Sequence, residues 1–112
     1  MLDHRDVDAI LKQESENMLI KKGIVFKKKG VISNLKRTLI LTNQPRLYYK
    51  SETGEYKADI LISPYLRAHY RAPDRFEIAC KKSGKHIIFR IVGEDASIWV
   101  NKINRVIDAH TK

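Results

Sequence analysis

The sequence predicts an α+β, mainly β fold: a small barrel of two orthogonal antiparallel sheets with about seven strands, capped by one C-terminal α-helix and preceded by a short N-terminal helix. Three observations predict it. From Leu19 onward, short apolar or alternating runs are separated by turn chemistry, with Gly54 in Ser51-Glu52-Thr53-Gly54-Glu55 and Gly84 in Lys82-Ser83-Gly84-Lys85 at hairpin positions. The final run, Ala96–Ala109, changes period and places Trp99, Ile103, Val106 and Ile107 on one helical face. The 112 residues, 43% hydrophobic with no Pro/Gly/Ser linker to divide them, have room for a single core.

Taken in order, residues 3–17 carry Val7, Ile10 and Leu11 at helical spacing, with Asp3 or Asp6 able to cap the start. This divides the chain into an N-terminal helical extension, 1–17, and a domain, 18–112. The runs Leu19–Phe26, Leu39–Thr42, Leu47–Lys50, Tyr56–Ile62, Phe76–Cys80 and His86–Val92 read as strands. Pro64 and Pro73 punctuate the stretch 63–74, whose Tyr65, Leu66 and Tyr70 supply one more short strand. Asp95 stands where it caps the closing helix.

Charge is the strongest functional signal. The net charge is +9, yet residues 1–17 hold five acids and two bases, so 18–112 carries 20 basic and 8 acidic residues, a net +12. Seven of the positive charges (Lys21, Lys22, Lys27, Lys28, Lys29, Lys36 and Arg37) fall between 21 and 37 with no acid among them. Like charges crowded together repel, so a one-sided cluster between two strands reads as a loop that meets a polyanion. Nucleic acid, an anionic membrane leaflet and soluble polyphosphates all fit that description.

Other chemistry finds no support. His4, His69, His86 and His110 have no metal-ligand spacing with one another or with Cys80, and no carboxylate pair stands in a catalytic arrangement. No Gly-rich phosphate loop leads into Lys-Ser/Thr. Cys80 is the only cysteine, so an internal disulfide is excluded and a reducing compartment expected. It alternates in phase with Phe76 and Ile78 and is expected to face the core. No run approaches the ~20 apolar residues of a membrane span, and the acidic N-terminus is unlike a signal peptide. A non-catalytic binding domain without cofactor or metal, on the cytosolic side, is the expectation.

The segments Met18-Leu19-Ile20-Lys21-Lys22-Gly23, Leu39-Ile40-Leu41-Thr42-Asn43-Gln44-Pro45-Arg46-Leu47-Tyr48-Tyr49 and the helix around Trp99 together resemble the pleckstrin homology (PH) domain family, most closely the branch at the C-terminus of 3-phosphoinositide-dependent protein kinases. The likeness runs from about Asn17 to Val106. It implies binding of a phosphoinositide headgroup, preferentially 3-phosphorylated, or of soluble inositol phosphates. It also implies a cytoplasmic protein held peripherally at the plasma membrane, with an attached serine/threonine kinase domain or self-association as further partners. Matched by position, Lys27 and Lys29 correspond to the lysines ending the first strand and Arg37 to the arginine of the second. Tyr49 corresponds to a phosphate-contacting tyrosine, Lys57 to a lysine opening the fourth strand, and Lys85 to a basic residue opening the seventh. Where the family carries a second base on the second strand this chain has Leu35, so phosphate binding is implied more firmly than 3-phosphate selectivity.

The remaining residues of the basic stretch, Lys21, Lys22, Lys28 and Lys36, are expected to add diffuse attraction to an anionic surface. Val31 and Ile32 either dip into the lipid interface or begin the second strand and pack inward. Read without the resemblance, the lysines equally fit a solvated strand edge. Nucleic acid is the less favoured partner, because Tyr48, Tyr49 and Tyr56 form no evident stacking motif. A protein-interaction module using the same surface stays open as the alternative.

Overall fold

The computed structural model describes residues 19–30 and 33–111. The N-terminal helix expected over 3–17, the division at residue 17, and Val31 and Ile32 lie outside the described residues. Seven strands and a helix follow in order: β1 (Leu19–Lys29), β2 (Ser33–Thr42), β3 (Arg46–Ser51), β4 (Tyr56–Ile60), β5 (Leu66–Ala72), β6 (Arg75–Cys80), β7 (His86–Arg90) and α1 (Ala96–His110). The strands hydrogen-bond in the order β4-β3-β2-β1-β7-β6-β5, every neighbour antiparallel. The two halves expected from sequence are thus joined through β1 and β7, which pair only at Phe26↔Arg90 and Lys27↔Phe89.

The first hairpin differs most from expectation. The sequence ended the first strand at Phe26 and began the second at Leu39, with the basic stretch as loop. Instead the ladder continues through Lys27↔Leu35 and Lys29↔Ser33. Beyond Phe26 the arms carry charged and polar residues on both faces, so the hydrophobic alternation that announces a strand is lost, while the backbone hydrogen bonds that define one are not. Gly30, at φ 66°, takes the chain into the left-handed region that begins the turn. At other ends the structure is shorter than the apolar runs: β4 stops at Ile60 and β7 at Arg90, leaving Leu61 and Val92 exposed. The segment between the two prolines is a full strand, β5, flanked rather than interrupted by them.

Alternation places Val25, Leu39, Leu41, Leu47, Tyr49, Phe76, Ile78 and Phe89 in one core with Trp99, Ile103 and Ile107 of α1. The Trp99 indole lies nearly parallel to Phe76, with centroids 6.1 Å apart. On β1 it meets Gly23, where an added Cβ would sit 3.4 Å from the indole. Asp95 caps α1 by accepting a hydrogen bond from the Ser97 amide at 2.8 Å, which draws its carboxyl below the usual range. Asn104 then docks the helix onto edge strand β5: its side chain accepts from the Ala68 amide at 2.9 Å and donates to the Ala68 carbonyl at 3.0 Å. Both bonds satisfy backbone groups that an edge otherwise leaves open.

This packing sets where ligands have access. The helix covers the Leu19–Gly23 end of β1, and Lys29 lies about 20 Å further along at the strand's usual rise. The hairpin tip is therefore remote from the plugged end.

Candidate anion-binding site

Residues directly opposite on an antiparallel ladder share a face. Val25 is fully buried and pairs with Arg37, so the face carrying both is the core face. Lys27 and Leu35, then Lys29 and Ser33, continue that face outward past the end of the apolar packing. The pairing Leu39↔Tyr49 puts Tyr49 on the same side. Three of the predicted contacts, Lys27, Lys29 and Arg37, are thus brought together at the uncovered mouth of the barrel with Tyr49 beside them.

Tyr49 is 7% exposed and packs edge-on against Phe89, centroids 6.2 Å apart. The Lys27 ammonium stands over its ring at 5.4 Å, a cation–π contact that holds the lysine toward the mouth. Arg37 donates from Nη1 to the Lys36 carbonyl at 3.0 Å, while its Nε is buried without a hydrogen-bond partner. Among the described residues, no carboxylate pairs with Lys27, Lys28, Lys29 or Arg37. A buried guanidinium N–H left unbonded costs roughly 1–3 kcal/mol, and an incoming phosphate oxygen relieves that cost.

Beyond the Lys27↔Phe89 pair, β1 and β7 separate. A cleft of about 480 Å³ opens between them, lined by Lys27, Lys28, Lys29, Gly30, His86, Ile87 and Ile88. Where the ladder has opened, strand edges present backbone amides in addition to the lysines. His86 also lines this cleft, although the sequence does not single it out, its histidines showing no metal-ligand spacing. Its position beside Lys85 at the start of a strand was the available signal.

The other predicted residues are distributed differently. Lys57 is exposed on β4, three strands from β1, at the irregular step in the β3–β4 register between Tyr56 and Ala58. Lys85, in the β6–β7 turn, lines a second cavity of about 500 Å³ between the edge strands, together with Ile60, Leu66, Ile78, Cys80 and Lys82. Lys36 points to the opposite face, as alternation requires, and lies 3.8 Å from Glu52. Lys22 is exposed at the plugged end, paired with Ile40. Lys21 departs from the diffuse membrane role expected of it. Its side chain is 16% exposed, bonded to Glu94 at 2.8 Å and held 5.0 Å above the Trp99 ring, so it fastens β1 to the helix. A charge run in sequence does not reveal that its first member faces a glutamate 73 residues later.

Cys80 is half-buried at the rim of the larger cavity and packs partly against the core. The Ser83 hydroxyl draws its thiol below the usual value. Glu77 is likewise held below the usual carboxylate range, chiefly by its bond with Arg71 and secondarily by the charges of His86 and His69.

Comparison with known proteins places this geometry in a family. A model described as "PH domain" matches residues 7–112. The chain is 28% identical over 93 residues, 82% of its length, to 3-phosphoinositide-dependent protein kinase B of Dictyostelium discoideum, and spans 10% of that protein. Among solved structures, the C-terminal PH domain of pleckstrin in complex with D-myo-Ins(1,2,3,4,5)P5 superposes with a TM-score of 0.62 at 16% identity, covering 84% of this chain and 99% of that one. A structure of Vav1 bound to an allosteric inhibitor superposes with a TM-score of 0.63 at 11% identity, covering 93% of this chain and 23% of that one. Among the described residues no helix is long and apolar enough to cross a membrane. Seven antiparallel strands, a plugging C-terminal helix and a family match across almost the whole sequence together establish that this chain belongs to the PH domain family.

Proposed function

We propose that this domain binds the headgroup of a phosphoinositide, or the corresponding soluble inositol phosphate, at the mouth of its barrel and thereby brings an attached protein to the inner leaflet of the plasma membrane. The observation that carries the reading is the placement of Lys27, Lys29 and Arg37 on one face of the first hairpin, with no counter-carboxylate and with the Arg37 Nε unbonded. The inositol phosphate in the pleckstrin structure supports this ligand class, and the likeness to the Dictyostelium kinase supports a kinase as the attached protein.

In this reading Arg37 receives a phosphate on its guanidinium fork, Lys27 and Lys29 neutralise a neighbouring one, and the Tyr49 ring keeps Lys27 in position. Lys57, exposed on β4, and Lys85, in the β6–β7 turn, stand apart from this cluster and add positive charge from the other hairpins. Lys22, Lys28 and Lys36 contribute diffuse attraction of ~1 kcal/mol each near an anionic surface, and Val31 and Ile32 enter the lipid interface. Preference for a 3-phosphate follows from the resemblance to the kinase branch, with Leu35 removing one contact available to other members.

Vesicle sedimentation tests both parts. Vesicles carrying a 3-phosphorylated phosphoinositide are expected to retain the domain more strongly than phosphatidylserine vesicles of equal charge. Equal retention refutes stereospecific recognition, and competition by soluble inositol phosphates separates headgroup binding from surface attraction.

A further inference from the structure

We infer that the cavity of about 500 Å³ between the two edge strands is an acyl-chain pocket, and that Cys80 at its rim takes up a long-chain acyl group from a coenzyme A thioester. The inference is independent of the headgroup reading above.

β4 and β5 stand at the two ends of the strand order and do not pair, so the seam between them is closed by side chains and by the connection 61–65. Register pairs Ile60 with Leu47, Leu66 with Cys80 and Ile78 with Ile87, all on the core face. Ile60, Leu66, Ile78 and Ile87 thus give the cavity apolar walls continuous with the core. At its lip Leu61 is 80% exposed and Tyr65 49%. An inserted hydrocarbon chain removes this apolar surface from water, and the volume lies within the roughly 300–1,000 Å³ of pockets that enclose small ligands. The charges at the rim favour an anionic carrier for that chain. Asp59 is engaged by a forked bond from Arg46. Lys82, held 5.4 Å over the Tyr65 ring, and Lys81 and Lys85 of the same turn meet no carboxylate among the described residues.

The thiol is placed to react. Ser83 Oγ accepts from the Lys85 amide at 3.2 Å, which leaves the hydroxyl proton free for the Cys80 sulfur. That bond above all, with the Ser83 and Lys82 amides and the Lys82 charge, draws the thiol below its usual pKa and raises the thiolate fraction. The thiolate Sγ adds to the carbonyl carbon of the acyl thioester. The bond from that carbon to the coenzyme A sulfur then breaks, and coenzyme A leaves as its thiol with the proton that Cys80 gave up. One thioester replaces another, so no oxidant or reductant is needed. The chain lies between Ile60 and Ile87, and the phosphates of coenzyme A meet Lys81 and Lys82 outside the cavity.

The test incubates the protein with palmitoyl-coenzyme A below its micellar concentration or with acetyl-coenzyme A at the same concentration. Intact mass is read before and after neutral hydroxylamine, which cleaves thioesters. One hydroxylamine-labile palmitoyl group is expected, absent from Cys80→Ser and added at least roughly tenfold faster than acetyl, as burial of only a few methylenes allows. Ile60→Trp, which fills the cavity, is expected to bring the palmitoyl rate down to the acetyl rate while the thiol stays open to iodoacetamide. Equal rates for the two thioesters in the natural sequence, which need no variant to fold, overturn the pocket. A palmitoyl group that persists in Cys80→Ser overturns the role of Cys80. Calorimetric titration of Cys80→Ser with D-myo-Ins(1,2,3,4,5)P5 is expected to match the natural sequence, and a loss of that binding overturns the independence of the two sites.

Discussion

Replacing Arg37 by methionine separates binding from folding. The aliphatic stem is retained and packs as before, while the guanidinium is lost. In the unliganded domain this group makes one hydrogen bond, from Nη1 to the Lys36 carbonyl, and leaves its buried Nε unbonded. The bond adds about 1 kcal/mol and the orphaned donor subtracts roughly 1–3 kcal/mol, partly relieved because the side chain as a whole is half-exposed. Stability is therefore expected to stay level or rise by up to ~1 kcal/mol, at most a few degrees in Tm for a domain of this size. The ligand-bound state behaves oppositely, since a forked contact to phosphate is lost. At about 1.5–3 kcal/mol for a hydrogen bond to a charged group, affinity falls by roughly 10- to 150-fold. Isothermal titration with D-myo-Ins(1,2,3,4,5)P5 and thermal unfolding of the same samples give both quantities. Unchanged affinity, or a loss of affinity accompanied by a Tm drop well beyond a few degrees, refutes the argument.

Lys21→Met is expected to show the converse, lowering stability by ~1 kcal/mol through loss of the Glu94 pair and the contact with Trp99, with inositol phosphate affinity unchanged within twofold. Gly23→Ala is expected to be nearly neutral, because its Cβ just meets the Trp99 ring at 3.4 Å, whereas Gly23→Val overpacks the same spot and costs roughly 1–3 kcal/mol by chemical denaturation. Asp95→Ala removes the cap of α1 and lowers stability at neutral pH. The Asp95 carboxyl is depressed in the folded state, so its contribution is fully present above the ordinary carboxylate pKa and fades as pH falls through the folded value. The difference from the natural sequence is expected to shrink in acid, as read from denaturation midpoints across that range.

Legibility in the sequence followed burial. Where a segment has one face in the core and one in water, its residue types repeat with the period of the element. Thus the helix carrying Trp99, Ile103 and Ile107 and the strands of Leu47, Phe76 and Phe89 could be read directly. β5 was harder to read, because two prolines and Tyr70 blurred its pattern. The outer half of the β1–β2 hairpin was missed as strand because neither of its faces is buried. Lys27, Lys29 and Arg37 were legible as a cluster through their proximity in the chain and their resemblance to a known pattern.

By itself, then, the sequence determined the fold class, the single core, the closing helix and the presence of an uncompensated basic hairpin, because each is written in local periodicity or local charge. Tertiary structure decided what no local pattern encodes. Pairing Val25 with Arg37 placed the arginine on the core face beside Lys27 and Lys29, while packing of α1 against β1 withdrew Lys21 to Glu94. The opening of the β1–β7 ladder after Lys27 left a cleft between Lys27–Gly30 and His86–Ile88. These are relations between residues far apart in the chain, set by strand register and by which surfaces must be buried together.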